Sequence, residues 1–151
     1  MYNTYEEFIK KEVESFKYYG DFYDSATKYI PDFFRLLCEI LDEDTVDYDS
    51  RIKIYCAVAY LVIPNDVLPE NIYGSEGYVD DVFVLVYVLR ELFMQYKDLI
   101  IKHWDDMTSS RSDKEDIKVI LDKCYDTSRE IIDKRGLVNR TLEFAGLKRP
   151  I

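Results

Sequence analysis

Residues 79–104 read VDDVFVLVYVLRELFMQYKDLIIKHW. Val82, Leu85, Val86, Leu89, Leu92, Phe93, Tyr96, Leu99, Ile100 and His103 recur at intervals of three and four. Residues so spaced line one face of a helix with 3.6 residues per turn. The spacing predicts a long amphipathic helix over 79–104. Its opening carboxylates, Asp80 and Asp81, suit the positive dipole and free N–H groups of a helix start. The apolar run Val82–Leu89 falls well short of the ~20 residues that cross a bilayer, so it reads as buried in protein.

Upstream, the run Ile54–Ile63 predicts a helix over about 50–62. Its second half is apolar on every side, so it is expected to be the central buried helix. Pro64 disfavours helical geometry at Ile63 and ends it. The connection Pro64–Tyr78 holds two prolines and two glycines, and connections this long in compact domains are often functional. Before the hairpin lies an acidic linker, Asp42–Asp49. It fails the calcium-loop pattern at Val46, Asp47 and Lys53, and reads as a solvated loop that supplies the next N-cap from Asp49 or Ser50. A short helix and a longer one with Pro31 in its first turn precede it. The capping box Thr4-Tyr5-Glu6-Glu7 predicts a helix over 5–19 that stops at Gly20.

Downstream, Thr108–Ser112 is a polar break and Ser112-Asp113-Lys114-Glu115 a second capping box. A helix then runs to Gly136, and a last one covers about 137–145 and stops at Gly146. No strand pattern occurs. The expected fold is all-α: one domain over 1–151, an irregular bundle of five to seven helices around an apolar helical hairpin.

The chain has 151 residues, with 20 basic and 30 acidic side chains and a net charge of −10. Such a surface repels phosphate backbones, so direct binding to nucleic acid is not expected, whereas a basic protein partner is favoured. The 14 tyrosines suit half-buried helix borders or a contact surface. Cys38, Cys56 and Cys124 are odd in number, far apart and set in helical patterns, which fits a reducing, cytoplasmic compartment and gives no zinc spacing. The first residues show no signal-peptide pattern. His103 lies on a helical stripe and reads as a border residue. Neither it nor the cysteines have the partners that nucleophilic catalysis needs.

Pro64, Asp66, Pro69, Gly77, Asp80 and Asp81, with Tyr60-Leu61-Val62-Ile63 before them, resemble the YkvA family, a helical domain of unknown function. The resemblance covers about 50–94. Glu70 stands where that family usually has Asp, Tyr73 where a third proline is common, and one extra residue precedes Gly77. The resemblance implies a fold element and no activity.

The carboxylates of this segment have two readings. In one, Asp66 bonds backbone donors in the proline turn and Asp80 or Asp81 caps the following helix. In the other, Asp66, Glu70, Asp80 and Asp81 hold Mg²⁺ or another hard cation, which takes oxygen ligands. Adjacent residues on a helix point apart, which opposes joint binding by Asp80 and Asp81. The structural role is the expectation, with no cofactor. The expected function is a non-enzymatic protein-interaction or inhibitory module with an acidic surface. The alternatives are a metal-dependent hydrolase using Asp66, Asp80 and Asp81, and a peripheral membrane protein.

Overall fold

The computed structural model describes residues 26–62, 78–112 and 114–148, together with Glu7, Lys10 and Lys11. The described residues form five α-helices: α1 (Ile30–Leu41), α2 (Tyr48–Val62), α3 (Val79–Thr108), α4 (Ile117–Lys134) and α5 (Val138–Phe144), with a 3-10 turn at Thr27–Tyr29. They contain no strand, and the all-α fold expected from periodicity is the one observed. The expected first helix, its Thr4–Glu7 box and its Gly20 stop lie outside the described residues, apart from Glu7, Lys10 and Lys11, which are helical.

The centre of the molecule is the first half of α3. Every residue from Val79 to Val86 is buried, and Val88, Leu89 and Leu92 continue the pattern. Helices α1, α2, α4 and α5 all contact α3. Ile30, Phe33, Phe34, Leu37 and Ile40 of α1 and Ile117, Ile120, Leu121 and Cys124 of α4 join the same core. The expectation that α2 would be the central buried helix is therefore corrected. Its buried positions are only Ser50, Ile54, Ala57 and Tyr60. Helix α2 carries more apolar side chains than it buries, and Ile52, Tyr55, Ala59 and Val62 are exposed.

Helices α2 and α3 form an antiparallel hairpin, and three cross-links fix its register. Asp47 meets Tyr96, Lys53 Nζ lies 2.7 Å from Glu91 Oε2, and the Tyr60 hydroxyl donates to Asp80 Oδ2 at 2.5 Å. As the α2 partner advances from 47 to 60, the α3 partner retreats from 96 to 80. The half-buried Lys53–Glu91 pair contributes about 0–1 kcal/mol. The buried Tyr60–Asp80 bond matters more, because a buried carboxylate must be hydrogen-bonded.

Helix α3 runs to Thr108 and breaks at Tyr96 (φ −125°, ψ 41°). No Pro or Gly lies there. The break is held from outside: the Tyr96 hydroxyl donates to Asp47 Oδ1 (3.0 Å) and accepts the Asp47 N–H (2.8 Å). Beyond the break, the buried Trp104 donates its indole N–H to the Glu115 carbonyl at 3.1 Å. Arg111 forks onto both oxygens of Asp32, each at 2.8 Å, and ties the end of α3 to the start of α1.

The acidic linker is an ordered connection gathered by one cation. Arg51 donates to the carbonyls of Leu41 (2.6 Å), Glu43 (2.5 Å) and Val46 (3.1 Å). The Leu41 carbonyl is among those a helix end leaves without an intrahelical donor. The N-cap of α2 is Asp47, not Asp49 or Ser50: its Oδ1 accepts the Ser50 N–H (3.3 Å) and its carbonyl accepts the Arg51 N–H (3.0 Å). Helix α4 is likewise capped by Asp116, whose carboxylate accepts the Lys118 N–H at 2.8 Å, and not through the Ser112–Glu115 box. The two expected glycine stops that fall among the described residues are realised. Gly136 (φ 67°) and Gly146 (φ 81°) take left-handed geometry, and Leu137 and Leu147 donate back to Ile132 and Leu142. This is the Schellman arrangement, which needs a residue tolerant of positive φ.

Candidate functional site

Asp80 and Asp81 occupy the first turn of α3 and are 0% and 1% exposed. Neither is the N-cap. That position is Tyr78, which makes no side-chain capping bond. The two aspartates fall one and two residues inside the helix, where their charge complements the dipole. Asp80 spends one oxygen on the Tyr60 hydroxyl of α2. Asp66 and Glu70, the other two carboxylates of the proposed cation set, lie outside the described residues, as does the proline turn. Among the described residues, no group of three or more His, Cys, Asp or Glu side chains is placed to hold a metal.

His103 sits at the border of the core. Its Nε2 lies 2.8 Å from Glu43 Oε1 and its Nδ1 3.9 Å from Glu39 Oε2, so it ties α3 to the end of α1. Cys38 and Cys56 are half-buried and Cys124 is buried. Burial raises the Cys56 thiol and pushes the Cys124 thiol up to about 12. The thiolate is the nucleophilic form, so both groups are held in the inert one.

The feature sequence reasoning missed is on the outer face of α2. Tyr48, Ile52, Tyr55, Ala59 and Val62 are all exposed, with Tyr48 at 75% and Tyr55 at 54%. Their spacing of four, three, four and three places them on one face. The buried positions, Ser50, Ile54, Ala57 and Tyr60, make a second set on another face. Two interleaved apolar stripes were the available signal; read together they looked like one helix buried all round. Beside the exposed stripe, Phe144 of α5 is 51% exposed, with its ring edge-on to Tyr60 at 5.9 Å. Between α2 and α5 lies a groove of about 350 Å³, lined by Ile52, Tyr55, Cys56, Ala59, Phe144 and Ala145, with Tyr60. Asp42, Asp44, Asp47 and Asp49, in the loop that leads to Tyr48 and the first turn that follows, are exposed.

A second groove, of about 270 Å³, separates α3 from α4. Its cations are already engaged. Arg90 lies 3.9 Å over the Tyr125 ring and 3.2 Å from Asp122 Oδ1, and Lys118 is 2.8 Å from Asp122 Oδ2. The hydrogen bond from Lys118, more than the charge of Arg90, holds the Asp122 carboxyl below its ordinary value.

Residues 50–87, which include α2 from Ser50 onward and the start of α3, match the family described as a protein of unknown function, DUF1232. The YkvA-like resemblance is thus shown for this segment. An uncharacterized protein, ORF9, of Methanothermobacter thermautotrophicus is 34% identical over 79 residues, which are 52% of this chain and 54% of that one. The E3 ubiquitin-protein ligase RNF170 of Xenopus laevis and that of Xenopus tropicalis are each 39% identical over 44 residues, 29% of this chain and 17% of theirs. The chain spans about half the length of the archaeal relative and under a fifth of the frog proteins. No solved structure matches it.

Proposed function

We propose that the chain is a non-enzymatic helical module that binds a protein partner through the outer face of α2. The observation that carries this reading is the exposed stripe Tyr48, Ile52, Tyr55, Ala59, Val62, continued by Phe144. Contiguous apolar surface rimmed by polar residues marks interaction sites. Ile52, Tyr55, Ala59 and Val62 of this stripe lie in the segment that matches the family. The net charge of −10 and the exposed aspartates at the rim favour a basic partner and a salt-sensitive association rate. An inhibitor that masks a basic surface is the specific form of this reading.

The wholly buried Asp80 and Asp81 favour a second reading, a metal-dependent hydrolase that also uses Asp66 and Glu70 with Mg²⁺. One experiment separates the two. The tagged full chain and its Ile52→Asp/Tyr55→Asp variant are cross-linked and recovered from the native cell, and both are melted with EDTA and with excess Mg²⁺. The expected result is a protein recovered with the wild type and lost with the variant, with melting temperatures indifferent to metal. Equal recovery, together with a metal-induced rise in melting temperature that Asp80→Ala abolishes, replaces the interaction reading by the hydrolase. No helix among the described residues is long and apolar enough to cross a membrane.

A further inference from the structure

We infer that the occupant of the α2–α5 groove is one amphipathic helix of a partner protein, antiparallel to α2, with its basic end over the acidic loop. The inference rests on the reading of α2 as a docking face and adds the partner's secondary structure, direction and charge order. Shape comes first. The stripe from Tyr48 to Val62 is roughly 21 Å long at the helical rise, about four turns. Ala59, between Tyr55 and Val62, leaves a depression that the rings of Tyr55 and Phe144 border. A helix face offers no free backbone donors or acceptors, so an added strand gains no ladder here. An apolar groove of this form takes side chains spaced three and four apart on a partner helix.

Charge then sets direction. At the Tyr48 end, Asp42, Asp44, Asp47 and Asp49 are exposed. The groove is therefore negative at the N-terminal end of α2. A complementary helix places Lys and Arg against the loop. Helices favour basic residues at their C-termini. That preference is met when the partner's C-terminus lies over Tyr48, antiparallel to α2.

The test is selection of a displayed library of helical peptides, randomised in apolar spacing and in charge order, against the full chain. The expected winners have apolar residues three and four apart and Lys or Arg in the C-terminal half. Their binding weakens roughly tenfold or more with Ile52→Asp, the size of an interface hot-spot loss. Asp44→Arg/Asp49→Arg reverses the charge preference. Ala59→Arg, at an exposed position, serves in the same role if Ile52→Asp alters the far-UV spectrum. Winners without helical spacing, winners basic in the N-terminal half, or binding indifferent to both α2 variants overturn the inference. Sedimentation of the chain with zwitterionic vesicles, or its concentration-dependent dimerisation, overturns it too if Ile52→Asp abolishes the effect, in favour of a bilayer or a second copy. If the native partner is still lost with the α2 variant while the library fails, the docking face stands and only the helical occupant falls.

Discussion

Replacing Tyr60 by Phe deletes one hydroxyl and keeps the shape of the ring. The ring is 1% exposed, and the hydroxyl donates at 2.5 Å to a carboxylate that is 0% exposed. Hydrogen bonds to charged groups contribute about 1.5–3 kcal/mol, and the loss is larger when the remaining partner stays buried. Tyr60→Phe should therefore cost about 2 kcal/mol. For a chain of this size each kcal/mol lowers the melting temperature by about 2–4 °C, so the variant should melt about 4–8 °C below wild type. Urea unfolding checks the free energy directly and should show an unchanged slope. Asp80→Asn closes a double-mutant cycle, whose coupling should be about 1–2 kcal/mol if the two groups act on each other. All four proteins are measured in EDTA and in excess Mg²⁺, and the losses should agree. A loss below about 0.5 kcal/mol, the size of an ordinary surface change, refutes the structural role of the pair. A loss that appears only with metal refutes it equally, because the pair would then serve a ligand.

Gly136 has a φ of 67° and open space where a Cβ would stand, so Gly136→Ala should cost about 1–2 kcal/mol from backbone strain alone, read from thermal melts. Cys124, held near 12 by burial, should alkylate far more slowly than half-buried Cys56 in the native protein, and mass spectrometry of timed labelling checks the order. Hydrogen bonds from Ser50 first, then Tyr96, hold the Asp47 carboxyl below its ordinary 3.8. A lowered folded value gives stability that is fully present above 3.8 and is lost as pH falls through the folded value. Wild type should therefore lose more stability than Asp47→Asn in that acid window, as urea unfolding against pH will show.

Much of this architecture was legible from period and punctuation. The α3 stripe, Pro31 in the first turn of α1 and the stops at Gly136 and Gly146 depend on local geometry that sequence records directly. What escaped depends on tertiary partners. The break at Tyr96 has no Pro or Gly to announce it, since it is held by Asp47 from another helix. The cap of α4 moved to Asp116, beside the Glu115 carbonyl that receives the Trp104 indole N–H. Helix α2 was misread because an apolar residue does not say whether it faces a core or a partner. Asp80 and Asp81 were expected at the start of α3 as caps; they fall inside its first turn instead, and their near-complete burial and the Tyr60 bond appear only when the hairpin closes.

Arg51 reaches back from α2 to hold the carbonyls of Leu41, Glu43 and Val46, so the shape of the preceding loop is imposed by a residue outside it. Within the loop only Val46 packs into the core, and only Asp47 serves as a cap. Asp42, Asp44 and Thr45 are exposed on a backbone whose path does not depend on them. Mutational drift can therefore rewrite their charge without disturbing the hairpin, while Arg51→Lys, which loses the planar fork that three carbonyls require, cannot pass so freely. The arrangement separates heredity of form from heredity of surface. One cation preserves the scaffold, and the rim beside the α2 face is left open to change whenever a new partner selects for it.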